Sequence, residues 1–187
     1  MIRRPMPTPI GHALAGVAAA WMVDVRTDRR LTLVAAGLGA LPDIDLLLPV
    51  QHRTVTHSIG AALLVTIIAA VVTGQVTRRS VWRVSAICGA AYASHLLLDW
   101  LGVDGYFPYG LTALWPFSDR FYISGWDIFR QTARHQLWTW PVIAVDLKAA
   151  AQEIALVGPI LAALWLVRVK TAPRLASEVS SSHHPAK

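Results

Sequence analysis

Charge is scarce in this sequence. Asp, Glu, Lys and Arg together make up 15% of the 187 residues, against 55% apolar residues. Soluble domains carry about 25% charged residues. So few charges would leave the surface of a soluble globule this size largely uncovered, and the mean hydropathy of +0.46 points the same way. Cysteine is nearly absent as well. The single Cys88 excludes a disulfide scaffold and argues against a thiolate metal site. The apolar content excludes a disordered chain, and no internal repeat is visible. The N-terminus lacks the polar region and small-residue cleavage site of a removable signal peptide. What remains favours a polytopic membrane protein. The net charge of +6 is then assigned to loops at the membrane surface, and no nucleic-acid partner is expected.

Charge-free stretches locate the helices. The spacing predicts helices over about 10–23, 30–41, 58–77, 84–101 and 149–168. The first two are short for a span of about 20 residues and are expected to be half-spanning or buried against the others. Ser80 is a plausible N-cap for the fourth helix, Pro42 closes the second, and Gly102 ends the fourth. Residues 102–145 form a long connection, and twelve of the sixteen aromatic residues fall between Trp100 and Trp140. That density suits an interfacial belt or a wall for a lipid-like substrate, and part of it, about 126–138, reads as an interfacial helix. The expected architecture is all-α: a membrane bundle of about five helices spanning 1–171, with a disordered tail over 172–187.

In so apolar a chain the polar residues inside the helices are informative. Following the chain up and down brings His12, Asp43, Asp45, His52, Arg53, His57, His95 and Asp99 to one end of the bundle. His95 and Asp99 lie four apart on one helix face and can share an ion. Asp43 and Asp45 cannot share a helix face. On an extended turn after Pro42 both can converge, or one can support the other ligands. His52 falls before the third helix and His57 at its start. Imidazoles mixed with carboxylates suit Zn²⁺, Mn²⁺ or Fe²⁺. The metal set is therefore His12, Asp43, Asp45, His52, His57, His95 and Asp99, with zinc the leading ion and two or more ions possible. His135 lies outside the set.

The motifs GHALAG, LPDIDLL, HRTVTHS, SHLLLD and YGLTALWPFSDRFY, running from about residue 10 to 125, resemble those of the YdjM-type inner-membrane metal-dependent hydrolases. That group is similar to the zinc-dependent phospholipase C and single-strand nuclease superfamily. The resemblance implies an early His ligand at His12, a carboxylate at Asp43 or Asp45, a His ligand at His57 and a bridging pair at His95 and Asp99. The soluble relatives have further ligands later in the chain, where this sequence offers only His135.

The expected function is hydrolysis of a phosphate ester, such as a phospholipid, at the inner membrane. Asp43 or Asp45 would take the proton from water. Arg53 would clamp phosphate or anchor its loop by pairing with Asp43 or Asp45. Ser118, Asp119 and Arg120 are placed at the pocket rim. The rival functions are a membrane scaffold or regulator with a structural metal, and a metal or proton transporter. Short basic turns at Arg26–Arg30, Arg78–Arg83 and Arg168–Arg174 place that side in the cytoplasm and the metal mouth on the extracytoplasmic face.

Overall fold

The computed structural model describes residues 8–47, 51–105, 107–130, 132 and 139–181, the side chains of 172–181 excepted. It contains five α-helices: α1 (Pro9–Val23), α2 (Arg29–Ala40), α3 (Ile59–Val76), α4 (Val81–Leu101) and α5 (Trp140–Ser181). No strand occurs among the described residues, only isolated bridges such as Leu111 with Tyr122.

Four of the helices begin where short polar side chains satisfy the free N–H groups of a first turn. Thr8 accepts from Gly11 N at 3.0 Å, and Pro9 opens α1, where its missing N–H costs nothing. Asp28 accepts from Arg30 N and Leu31 N. Ser58 accepts from Ala61 N, and Ser80 accepts from Arg83 N.

The central helix is α4. Its buried residues Ile87, Cys88 and Ala91 pack with Ala20 of α1 and Leu31 and Ala35 of α2. On its other side Tyr92 and Leu96 pack with Ala62 of α3 and Leu111. The α1–α2 hairpin is tight because two glycines meet. A Cβ on Gly16 would lie 3.1 Å from Gly39 Cα and collide with the Ala35 carbonyl, and one on Gly39 would collide with the His12 carbonyl.

Three helices, α3, α4 and α5 as far as Thr171, are long and apolar enough to cross a membrane. The outer faces of α3 and α5 are apolar and exposed, with Leu63, Leu64, Ile67, Ile68, Ile160, Leu166 and Val169 each about half accessible. Lipid tails suit such a surface and water does not. With 15 and 12 residues, α1 and α2 reach only about 22 and 18 Å, short of the hydrocarbon thickness of about 30 Å.

Three expectations need correction. The fifth helix starts at Trp140 rather than near 149, because Pro141 occupies its first turn and Val142 N and Ile143 N bond to Thr139 O; it also carries the backbone on to Ser181, past Ala172, where the tail was expected. Residues 126–130 are irregular, not helical, and Asp127 within them has a φ of 51°. Ile128 N bonds to Leu101 O and Ser124 N to Trp100 O, so this segment satisfies carbonyls at the end of α4 that have no helical partner. Residues 133–138, including His135, lie outside the described residues. Lastly, Leu41 keeps a helical conformation, and Leu41–Leu47 winds into a 3-10 helix instead of an extended turn.

Gly16→Val should therefore lower stability by about 1–3 kcal/mol through overpacking. Gly37→Ala, where a Cβ meets nothing within 4 Å, should be neutral or slightly stabilising. Thermal unfolding of the two variants in detergent checks the contrast.

Candidate metal centre

Five segments deliver His and Asp side chains to one end of the bundle. His12 comes from the first turn of α1. Asp43 and Asp45 come from the 3-10 helix after α2, and His52 from the loop that follows. His57 comes from the short 3-10 turn before α3, and His95 and Asp99 from α4. His12, His57, His95 and Asp99 have no accessible surface, and Asp45 has 1%.

The closest group is His57, His95, Asp43 and Asp99. His57 Nε2 and His95 Nε2 are 3.0 Å apart. Asp99 Oδ2 lies 3.3 Å from His57 Nε2 and 3.5 Å from His95 Nε2. Asp43 Oδ1 lies 3.7 Å from each of these nitrogens. Zinc bonds of about 2.0–2.1 Å in a tetrahedron place donors about 3.3–3.4 Å apart. The observed separations bracket that value, and the donors divide into overlapping triples that could each hold an ion, Asp43 with His57 and His95, and Asp99 with His12 and His95.

Hydrogen bonding also prepares the two imidazoles. His95 Nδ1 lies 2.7 Å from the Gly39 carbonyl, which can only accept. Nδ1 therefore carries the proton and Nε2 presents its lone pair inward. His57 Nδ1 faces Asp45 Oδ2 at 3.3 Å, with the same consequence for its Nε2. Asp45 is heavily used by other partners. Its Oδ1 accepts from His52 Nδ1 at 2.7 Å, and its Oδ2 from Thr56 Oγ1 at 2.8 Å and Arg53 N at 3.3 Å. Asp45 thus orients His57 and His52 from behind, although Asp45, His52 and His57 are also close enough to form a ligand group of their own.

The second oxygen of Asp99 faces away from this group, 3.5 Å from His12 Nε2 and 3.7 Å from Arg53 Nη2. The His12 ring stacks on His95 with centroids 3.7 Å apart. Among the described residues, both oxygens of Asp99, both nitrogens of His12 and Arg53 Nε and Nη2 are buried without a hydrogen-bond partner. Burying such groups is costly unless a charge or ligand compensates. Burial pushes the Asp43 and Asp45 carboxyls up, but His57, with His95 for Asp43 and His52 for Asp45, outweighs it and holds both below the usual carboxylate value. Against its own burial, His57 is raised to about 9 by the same carboxylates. The carboxylates around His57 thus favour its charged form.

Two polar partners were not legible in the sequence. Arg53, with φ of 64°, pairs its Nη1 with Asp104, which also accepts from Gly110 N at 2.7 Å. The side-chain anchor of Arg53 is therefore Asp104, while Asp45 receives only its backbone N–H. Glu153 of α5 is fully buried and accepts from Thr8 N at 2.7 Å and from Thr8 Oγ1. Its sequence signal was there: it is the lone acid within 149–168. Ser118 and Arg120 lie on a turn where Arg120 N bonds to Ser118 Oγ and Ser118 Oγ approaches Tyr122 OH at 3.5 Å.

A family model described as YdjM inner membrane protein matches residues 6–174. The chain belongs to the YdjM inner membrane protein family. Its membrane assignment rests on that match together with the three apolar helices. The chain matches no curated protein and no solved structure. In this YdjM-family chain, the matched region takes in every residue of the His/Asp cluster, and Arg53 and Glu153 with it.

Asp99→Ala should abolish binding of a divalent ion, and Asp45→Asn should weaken it by about 10–100-fold through the loosened His57. Metal analysis of the detergent-purified variants checks both. Wild-type metal content in Asp99→Ala would refute the site as described.

Proposed function

We propose that the protein is a membrane-embedded, metal-dependent hydrolase acting on a phosphate ester, a phospholipid or related phosphodiester being the leading substrate class. One observation carries this reading: a buried guanidinium with unused N–H groups stands beside a donor set that fits an ion. Asp104 fixes one side of Arg53 and Asp99 lies 3.7 Å from its Nη2, while Nε, which has no hydrogen-bond partner, is the group left to meet a phosphoryl oxygen. This geometry favours the phosphate clamp over a purely structural Arg53.

His57, His95 and Asp99 would hold the ion, most suitably Zn²⁺ given imidazole and carboxylate donors. When bound, it supplies a Lewis acid and water activated for attack near neutral pH. Asp43 then has a separate task. Its carboxylate sits farthest from both imidazoles, at 3.7 Å, and at 9% exposure it is the most open of the buried carboxylates. It is placed to accept a proton from the attacking water. Asp45 keeps His57 and His52 in register, and His12 supports the outer oxygen of Asp99; together with His95 these two could hold a second ion.

A structural metal site is the competing reading, favoured by the near-complete burial of the set. If Asp43 is instead a fourth ligand, the tetrahedron is closed, as structural zinc sites are. Asp43→Asn separates the two. The hydrolase reading expects metal content to persist while turnover of bis(4-nitrophenyl) phosphate or phospholipid vesicles falls by about 10²–10⁴-fold. Loss of the ion together with an inactive wild type would establish the structural site.

The sidedness proposal follows the arginines. Arg26, Arg29, Arg30, Arg78, Arg79, Arg83 and Arg168 cluster in short segments at the end opposite the metal centre; this pattern supports a cytoplasmic position for that end and the outer face of the inner membrane for the centre. In a Cys88-replaced background, an impermeant thiol reagent should label a cysteine at position 118 in intact cells and spare one at position 77. The reverse pattern would move the centre to the cytoplasmic face.

A further inference from the structure

We infer that Glu153 is a positioning residue for the metal centre, acting through the first turn of α1 on His12; this rests on the metal-centre reading above. The buried stripe of α5 is Ala149, Glu153 and Val157 at successive turns, and Glu153 is its one ionisable member. The helix packs chiefly on α1. A carboxylate inside an apolar helix calls for a function, and here its contacts define one. Both oxygens are committed to Thr8, through its N–H and its hydroxyl. Thr8 in turn caps α1 by accepting from Gly11 N, and the Thr8 carbonyl accepts from His12 N at 3.1 Å.

The fit at Gly11 is equally specific. A Cβ there would overlap the Glu153 carboxylate. The next residue, His12, stacks on His95 and faces Asp99. Glu153 therefore fixes the height and rotation of the turn that carries His12, without touching any member of the donor set. A second tether joins the same two parts of the fold at their far end. Arg168 Nη1 donates to the carbonyls of Val25 and Thr27, just past α1. If Glu153 merely held α5 in place, the two tethers would be equivalent for the metal.

The test is cobalt(II) binding by the full-length chain in detergent, read by affinity and by the visible ligand-field spectrum. Glu153→Ala should weaken binding at least about tenfold and alter the spectrum. Glu153→Gln, which preserves the shape and the bond to Thr8 N, should restore most of both. Arg168→Ala should leave affinity and spectrum at wild-type values, whatever it does to thermal stability. Equal losses in Glu153→Ala and Arg168→Ala would reduce Glu153 to a packing residue, and a wild-type spectrum in Glu153→Ala would overturn the inference outright. If Glu153→Ala does not fold, Gly11→Ala makes the same test by pushing the turn off an intact Glu153, and unchanged cobalt binding there would likewise overturn it. A wild-type chain that takes up no cobalt would bring down the metal reading itself, an outcome distinct from the others.

Discussion

Asp99 has no accessible surface and sits in the last turn of α4, and the fold around it is arranged to compensate its charge. An isolated buried carboxylate is too costly to persist, so other polar groups must reach it from elsewhere in the chain. His12, His57 and Arg53 do so from three other segments, and His95 from the preceding turn of the same helix. Each segment must then stop or turn at the same level. The tight Gly16–Gly39 contact sets α1 against α2, and the same Gly39 offers its carbonyl to His95. Backbone packing and site geometry are thereby joined at one residue.

Groups behind the cluster carry much of its order. Asp45 holds two imidazoles by their Nδ1 atoms, and Thr56 holds Asp45. Tyr92 of α4 donates to the Thr56 carbonyl at 2.7 Å. A chain of hydrogen bonds thus runs from the middle of the central helix to the face of the site.

The helices were legible because charge-free runs, capping residues and breakers all pointed to the same boundaries over α1 to α4. The convergence of His12, Asp43, Asp45, His52, His57, His95 and Asp99 was legible because each falls near a helix end on alternate passes of the chain. Division of labour among them was not. Whether Asp45 binds an ion or supports His57 depends on which oxygen meets which ring nitrogen, and spacing alone carries no such information. Arg53 shows the same limit, since its partner Asp104 lies 51 residues away across the bundle. The start of α5 was misplaced because Asp146 and Lys148 interrupt the apolar run, although Pro141 and the Thr139 carbonyl begin the helix earlier. Glu153 was passed over because, although it stands inside the predicted 149–168 helix, no second ligand-type residue lies three or four positions from it.

The shortness of α1 and α2 has an effect on the surrounding lipid. A bilayer beside a long helix keeps its full thickness, but one beside a hairpin of about 22 Å must thin or bend to meet it. Headgroups next to the hairpin would then settle deeper than those around α3 and α5. His12 stands at the mouth end of that hairpin, so the dip forms beside the metal centre. Headgroups there would lie closer to the level of the buried carboxylates than those around α3 and α5 do.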